Sequence, residues 1–229
     1  MFSGVLLEHG PVTTPTLDSS ALVVVDVQRG FVNEASAPVV PVIVELVRRW
    51  QAAGGVTVLT RFINRPDSAF VRLIGWTALM SDDPGIEFAP EIAPLAPTAT
   101  MVVLKNGYTA LAPEVLRLLE REKRDNVWVA GLDTESCVLA TCLHAFELGL
   151  TPWLLDDACA SHAGQDIHDA GRLVISRLIG SGRITTTACT PIDLDECAPS
   201  PSRSMPSKLP PSALTTPARR RSQGDHEPG

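Results

Sequence analysis

Three reactive side chains, a carboxylate, an ammonium and a thiol, each stand at or shortly after the end of a run of apolar residues. They are Asp26, Lys105 and Cys137. Cys137 lies at the predicted start of a helix, where the thiolate is favoured and backbone N–H groups can bind an oxyanion. Asp26 directly follows four apolar residues, and a buried carboxylate is costly unless it is paired or hydrogen-bonded. The chemistry indicated is nucleophilic attack by a thiol that has a carboxylate and a cation beside it.

Each of these residues also has a purely structural interpretation. A buried cysteine is commonly inert, and Cys142 and Cys159 fit that description. A strand-end aspartate can cap a turn, and many lysines follow strands. A Cys–His arrangement is a further alternative. His162 is the main competing base because it too follows a predicted strand, whereas His144 and His168 are interpreted as ordinary helix residues.

Short runs rich in Val, Ile and Leu predict the strands that position these residues. The runs are Ala21–Val27, Val56–Phe62, Thr100–Leu104, Asn126–Ala130 and Thr151–Asp156, with a last short strand at Arg183–Thr187. Most of them lack the alternation of polar and apolar residues that a one-sided sheet shows. They are therefore typical of a parallel sheet that is covered on both faces.

Helical patterns separate the predicted strands, and glycine or proline marks several of their ends. They span Val39–Ala53, Pro113–Lys123, Cys137–Leu148 and Gln165–Ile179. This alternation predicts an α/β fold: a doubly wound, mostly parallel sheet with helices on both faces. Ligands bind beyond the carboxyl ends of the strands in such sheets, so Asp26, Lys105 and Cys137 are expected to meet there. The Pro-rich segment 63–97 is less regular and is interpreted as a lid or partner-contact region.

Composition limits the domain organisation and the classes of partner. The 229 residues suffice for one α/β domain, predicted at 1–190, and the Pro/Ser-rich segment 191–229 is predicted to be a disordered tail. A net charge of −7 argues against nucleic acid, and no apolar run approaches the ~20 residues of a membrane span. The five cysteines show no zinc-site spacing, which predicts reduced thiols and a cytoplasmic protein.

Three motifs resemble those of the isochorismatase-like cysteine hydrolases, in the same order along the chain. Asp26-Val27-Gln28, with Phe31 shortly after, is similar to the family's Asp-x-Gln motif. The segment Lys105–Ala110 is similar to its Lys-x-x-aromatic-small-Ala motif, and Gly131–Val138 to its Gly-x-x-Thr-x-x-Cys-Val motif. The resemblance covers roughly residues 20 to 190. It implies the family's Rossmann-like three-layer fold and hydrolysis without a cofactor.

The resemblance also implies a role for each matching residue. Asp26 is the general base, Cys137 the nucleophile that forms a thioester, and Lys105 the cation that holds both in their charged states. The family has a cis peptide at the position of Leu132–Asp133, and the backbone N–H groups of Asp133 and Cys137 form its oxyanion hole. Homo-oligomers are common in the family, so self-association is expected.

Departures from the family narrow the expected reaction. Nicotinamidases bind a metal through histidines that this chain lacks after its second strand, so no metal is expected and nicotinamidase activity is disfavoured. Enzymes of the family that cleave a vinyl ether commonly lack the cysteine, so Cys137 favours C–N hydrolysis of an amide, ureide, lactam or streptothricin-like bond. Candidate substrate contacts are Gln28, Phe31, Trp76 and Tyr108. Arg72, which could meet a substrate carboxylate, is interpreted rather as a solvated side chain.

Two other functions remain open at the level of the sequence. The first is isochorismatase-type ether hydrolysis with Cys137 as a bystander. The second is a non-catalytic binding or assembly module, because a fold does not by itself fix a function. A flavodoxin-like binder is disfavoured, since Asp26–Gly30 is too polar and too poor in glycine for a phosphate loop.

Overall fold

The strands form one sheet in the computed structural model, which describes residues 15–192. The strands are Ser20–Val25 (β1), Val56–Phe62 (β2), Met101–Lys105 (β3), Asn126–Leu132 (β4), Thr151–Ala160 (β5) and Ile184–Thr185 (β6). Their order is β3-β2-β1-β4-β5-β6, and every neighbouring pair is parallel. The predicted disordered tail lies outside the described residues, apart from its first two.

Helices cover both faces of this sheet. They are Val40–Ala52 (α1), Ala69–Ile74 (α2), Pro113–Arg121 (α3), Leu139–Glu147 (α4) and Gln165–Ile179 (α5). Successive β1 residues point to opposite faces, so Leu22 and Val24 pack with α1, while Ala21 and Val23 pack in the second core with α3, α4 and α5. The predicted α/β fold with a doubly covered sheet is confirmed.

The observed elements differ from the predicted ones mainly at their ends. Cys137 does not start the helix as predicted, because a single π-helical turn at Thr134–Val138 precedes α4. β5 continues to Ala160, and its pairing with β4 shifts register between Val129 and Gly131. The short helix α2 lies in the segment expected to be irregular. Its start is capped by Ser68, whose side chain accepts the N–H of Val71.

The structure bears on two expectations, one about the cysteines and one about membrane-spanning segments. Cys189 is disulfide-bonded, so the expectation of reduced thiols is wrong for this residue. Cys137, Cys142 and Cys159 are free and buried. Among the helices of residues 15–192, none combines the length and the apolar character needed to cross a bilayer.

The strand order creates one crevice. β1 lies between β2 and β4, so the chain builds the sheet outward in one direction through β2 and β3 and in the other from β4 onward. Loops that leave β1 and β4 therefore diverge to opposite faces and open a space at the carboxyl ends of these strands. The residues that follow β1, β3 and β4 all reach this space.

Candidate active site

Asp26, Lys105 and Cys137 meet at the carboxyl edge of the sheet and form what is called here the site floor. Lys105 Nζ lies 2.6 Å from Asp26 Oδ2 and 3.4 Å from Cys137 Sγ. The side chains of the ion pair are almost inaccessible, 0% exposed for Asp26 and 3% for Lys105. The structure thus brings together the acid, the cation and the thiol that the sequence placed after three different strands.

Asp26 is held in an uncommon backbone conformation. Its φ is +49°, in the left-handed region, which aspartate tolerates better than most residues. The Oγ1 of Thr60, on β2, donates to Asp26 Oδ1 at 2.7 Å and also accepts the backbone N–H of Asp26. These contacts direct the carboxylate toward Lys105. Thr60 was not among the predicted site residues, and a lone threonine in an apolar strand gives little signal of such a role.

Lys105 ends β3, and its ammonium is saturated by the loop that follows. Nζ donates to the carbonyl oxygens of Gly107 and Tyr108 at 2.8 and 2.9 Å, in addition to its contact with Asp26. Burial works against the charged form, but Asp26 and Cys137 outweigh it and raise the pKa of Lys105. The ammonium is therefore a fixed positive charge at neutral pH.

The surroundings of the Cys137 thiol act on its pKa in opposite directions. Burial and the negative charge of Asp26 raise its pKa, and Lys105 lowers it by less. The resting group is therefore a neutral thiol beside an ion pair. Transfer of its proton to Asp26 changes no net charge in the buried floor, since a thiolate beside Lys105 replaces a carboxylate beside Lys105.

The turn that presents Cys137, residues Asp133–Val138, is called here the nucleophile turn. It follows Gly131, whose φ is +121° and whose added Cβ would collide with the carbonyl oxygen of Val25. Only glycine fits there, because β1 and β4 approach too closely for any side chain. The peptide Leu132–Asp133 is cis, as the resemblance implied.

Helix α5 supports the nucleophile turn from behind. The Oγ1 of Thr134 and the Nδ1 of His168 lie 2.7 Å apart, and both residues are buried. Gly171, one turn further along, packs its backbone on Glu135, and a Cβ at Gly171 would lie 2.6 Å from the Cα of Glu135. His168 is a residue of helix α5, as interpreted from the sequence, and its contact with Thr134 holds the turn that carries Cys137.

A cavity of about 180 Å³ opens above Cys137. Aromatic and aliphatic side chains form one side of it, and the nucleophile turn with His162 forms the other. Its lining residues are Phe31, Phe62, Phe70, Ile74, Trp76, Tyr108, Asp133, Glu135, Ser136, Cys137 and His162. A mostly apolar cavity with a few polar groups near a nucleophile is typical of a small-molecule site.

The five rings of this lining, Phe31, Phe62, Phe70, Trp76 and Tyr108, are called here the aromatic wall. Trp76 lies 6.4 Å from Phe31, 5.5 Å from Phe62 and 5.7 Å from Phe70, measured between ring centroids. Tyr108 packs edge-on against Phe70 at 4.9 Å. The predicted contacts Phe31, Trp76 and Tyr108 thus line one cavity, and Phe62 and Phe70 complete it.

Asp133 and His162 form a pair on the opposite side of the cavity. The carboxylate of Asp133 accepts the backbone N–H of His162 at 2.9 Å, and its Oδ2 lies 2.6 Å from Nδ1 of the ring. Burial raises the pKa of Asp133, against the effect of His162. The ring of His162 also packs against Phe31 at 5.6 Å. His162, the alternative base predicted from the sequence, therefore lines the cavity but contacts Asp133 rather than the floor.

Two residues considered for substrate contact lie elsewhere. The amide of Gln28 is buried and bonds the backbone of Phe62 through both N–H and C=O, and its Nε2 also bonds the carbonyl of Ile86. It braces β1 to β2 and is absent from the cavity lining. Arg72 is exposed and donates to the carbonyl of Asp67. The prediction of Gln28 as a substrate contact is therefore wrong, because membership of a motif does not fix the direction of a side chain, whereas the exposed Arg72 fits its interpretation as a solvated side chain.

The segment after β2 does not fit a metal site. Asn64 there is buried, and its Nδ2 donates to the carbonyls of Trp76 and Ala78 while its Oδ1 accepts from Arg65 and Ser68. Across the described range 15–192, no group of three or more His, Cys, Asp or Glu side chains is arranged to hold a metal ion. No step derived below passes through one.

Comparison with known proteins places this fold and site in a family. The model of the isochorismatase domain matches residues 20–188, so the chain belongs to the isochorismatase family. A cysteine hydrolase from Pseudomonas syringae pv. phaseolicola has a similar structure, with a TM-score of 0.68 and 23% identity, covering 77% of this chain and 92% of that one.

Two further solved structures share the fold. A nicotinamidase from Bacillus subtilis superposes with a TM-score of 0.66 at 20% identity, over 73% of this chain and 99% of that one. An N-carbamoylsarcosine amidase from Thermoplasma acidophilum does so with a TM-score of 0.63 at 23% identity, over 74% and 96%. The family resemblance predicted from the three sequence motifs is confirmed.

Proposed function

We propose that the protein is a cysteine hydrolase that cleaves a C–N bond of a small molecule through a thioester on Cys137, without a metal or cofactor. One observation carries the proposal. The ammonium of Lys105 contacts both the carboxylate of Asp26, at 2.6 Å, and the sulfur of Cys137, at 3.4 Å. Base, cation and nucleophile are thereby joined beneath a cavity that Cys137 itself lines.

The first half of the reaction follows from the state of the floor. Asp26 takes the Sγ proton of Cys137 as the sulfur attacks the carbonyl carbon, so a carboxylic acid and a C–S bond form together. Negative charge moves to the carbonyl oxygen, where the backbone N–H groups of Asp133 and Cys137 are the proposed donors. Asp26 then gives its proton to the leaving nitrogen, the C–N bond breaks, and a thioester remains.

The second half restores the enzyme. A water molecule attacks the thioester carbon while Asp26, again a carboxylate, takes one of its protons. The C–S bond breaks, the product acid leaves, and the sulfur regains the proton from Asp26. Lys105 stays charged throughout and compensates whichever of the two partners carries the negative charge. Amide and water are consumed, and acid and amine are formed.

Two of the similar structures support the choice of bond. They are named as a nicotinamidase and an N-carbamoylsarcosine amidase, and both names denote hydrolysis at a C–N bond. An amide, ureide, lactam or streptothricin-like bond is of this kind. Self-association and a cytoplasmic location stay predictions from the family resemblance and the composition.

The test is transfer of an acyl group to the protein from p-nitrophenyl acetate, followed by mass spectrometry of its peptides. The acetyl group is expected on Cys137. Cys137→Ser and Asp26→Asn are each expected to slow acylation by about 10³-fold or more. Cys142→Ala is the matched control, since Cys142 is a buried thiol outside the cavity. Parent and variants are then compared on a panel of small amides by release of amine.

Acetylation at another residue, or full activity in Cys137→Ser, would contradict the thioester route. Ether hydrolysis without a thiol would then become the better explanation if the variant still turned over a vinyl ether. Absence of any acyl-enzyme in the folded parent chain would favour the non-catalytic binding module.

A further inference from the structure

The lining of the cavity above the site floor contains more acidic than basic side chains. Two carboxyl groups line it, from Asp133 and Glu135, and its basic lining consists of the imidazole of His162. No lysine or arginine is among the described residues that line it. Lys105 lies beneath the cavity and is already bound to Asp26 and to two carbonyl oxygens. A ligand in the cavity therefore meets net negative charge.

Glu135 has an acceptor that the protein leaves unused. Its Oε1 accepts from Ser161 Oγ at 2.9 Å. Its Oε2 is buried and has no hydrogen-bond partner within the described part of the chain. A buried carboxylate oxygen without a donor is unfavourable, and a positive charge bound nearby in the cavity would offset part of that cost.

The two carboxyl groups also act on each other. Burial raises the pKa of Asp133, and the nearby charge of Glu135 raises it further, while His162 lowers it. The carboxylates of Asp133 and Glu135 repel each other. A cation bound between them and the aromatic wall would reduce that repulsion. The negative charge of the cavity lining and the unpaired oxygen of Glu135 both favour a cationic ligand.

The aromatic wall of the cavity suits a cation as well. Ring faces carry the negative part of the aromatic quadrupole and attract ammonium groups within about 6 Å. Lys105 Nζ already lies 5.3 Å from the centre of the Phe62 ring. The stacked rings of Phe31 and Trp76 give the wall further apolar and aromatic surface.

We infer that this site selects small amides that carry a cationic amino group on an apolar or aromatic body. The negative charge of Glu135 and the aromatic wall attract the ammonium, and the bond to be cleaved lies at Cys137 on the same turn. The inference rests on the proposed function only in taking this cavity as the substrate site. Substrates that carry a carboxylate are disfavoured, because no lysine or arginine is among the described residues that line the cavity.

An adjoining groove offers the main competing recognition. It shares Phe70, Ile74 and Tyr108 with the cavity and includes Arg65. The guanidinium of Arg65 is bound by Asp67 through two contacts, at 2.9 and 3.1 Å, so it is already neutralised. An anionic substituent that reached this groove would compete with Asp67 for the same guanidinium.

The test compares the rates at which two charged thiol reagents modify Cys137, measured on its peptide by mass spectrometry. The reagents are trimethylammonioethyl methanethiosulfonate, a cation, and sulfonatoethyl methanethiosulfonate, an anion. Relative to free cysteine, the parent is expected to prefer the cation by roughly tenfold. Glu135→Gln should bring this preference close to that of free cysteine, and Glu135→Asp should retain most of it. Glu120→Gln, an exposed glutamate on α3, is the matched control and should match the parent.

A second measurement does not depend on thiol chemistry. The melting temperature is recorded with benzyltrimethylammonium and with benzoate, for the parent and for Glu135→Gln. The cation is expected to raise the melting temperature of the parent only, and benzoate to have no effect on either. This result would support the inference even if Cys137 proved unreactive and the proposed hydrolase function failed.

Two outcomes would overturn the inference and leave the hydrolase proposal standing. The first is a parent with no cation preference in either measurement although Cys137 is acetylated as expected. The second is a preference for the anionic reagent that Arg65→Gln removes, which would make the groove the recognition site and a carboxylate-bearing amide the substrate.

Discussion

The site floor and two rings of the aromatic wall, Trp76 and Tyr108, lie at one cavity but differ in burial and in the elements that supply them. Asp26, Lys105 and Cys137 are buried and lie at or just after the carboxyl ends of β1, β3 and β4. Trp76 and Tyr108 are partly or largely exposed and come from loops, with 47% of Tyr108 accessible. The floor consists of charges that satisfy each other, whereas the wall consists of rings in contact.

This difference separates reactivity from selectivity. Neither Asp26 nor Lys105 can be replaced alone without leaving a buried charge unpaired, so the geometry of this ion pair is fixed by electrostatics. Trp76 and Tyr108 can each be exchanged for another ring at a modest cost, because half-exposed apolar contacts are individually weak. We therefore expect floor variants to lose stability and catalysis together, and wall variants to change mainly which ligand binds.

The largest effect is expected from Lys105→Met. It leaves the buried carboxylate of Asp26 without its cation, which typically costs about 3–5 kcal/mol of unfolding free energy. Urea denaturation measures the loss, and Lys123→Met, at an exposed lysine, should stay within about 0.5 kcal/mol of the parent. The double variant Asp26→Asn/Lys105→Met should regain part of the loss. If the double variant were no more stable than Lys105→Met, burial of the unpaired Asp26 carboxylate would not be the cause of the stability loss.

A smaller effect is expected from Trp76→Ala in the aromatic wall. Trp76 is half-buried, so the variant should lose about 2 kcal/mol, less than the ~3–5 kcal/mol of a fully buried tryptophan. Trp153→Ala is the comparison, because Trp153 is buried and stacks on Trp128 at 4.9 Å. Trp76→Ala should still be acetylated on Cys137 but lose affinity for benzyltrimethylammonium. Equal stability losses in the two variants would mean that the wall is as rigid a part of the fold as the core.

The smallest effect concerns Cys142, a core thiol next to the site. Burial raises its pKa to about 12, from an ordinary value near 9. The unfolded chain therefore loses this proton first as the pH rises, so the stability contribution is complete below about pH 9 and declines above it. Each such thiol contributes a slope of about 1.4 kcal/mol per pH unit.

Unfolding free energies measured by urea at about pH 8 and about pH 10 test this slope. Cys142→Ala should show a shallower decline than the parent by about one thiol's contribution, whatever its own packing cost. An unchanged slope would show that Cys142 ionises in the folded protein. The same comparison with Cys137→Ala reports whether the thiol of the floor ionises there.

Much of the floor was predictable because its positions follow from strand ends. Continuous apolar runs predict parallel strands, and a polar residue that ends such a run must lie at the carboxyl edge of the sheet. Asp26 and Lys105 are located by this rule alone. Gly131 and Cys137 needed the motif as well, since the π-helical turn before α4 has no signal in the apolar pattern.

The cavity wall was predicted only in part. Phe31, Trp76 and Tyr108 were found by their closeness to motif residues, but the same reasoning misplaced Gln28, whose amide bonds the backbone of Phe62 instead of a ligand. Glu135 was missed, because nothing local distinguishes a glutamate that faces a cavity from one that faces water.

By itself, the sequence determined the parallel sheet, the edge at which the chemistry lies and the residue types available there. The periodicity of apolar residues encodes burial locally, and burial decides strands and their ends. Only the tertiary structure decided that Thr60 orients Asp26, that His168 supports the nucleophile turn and that the thiol of Cys137 rests in its neutral form. Those properties depend on distances between segments far apart in the chain and on the dielectric around them, and no local pattern of residues records either.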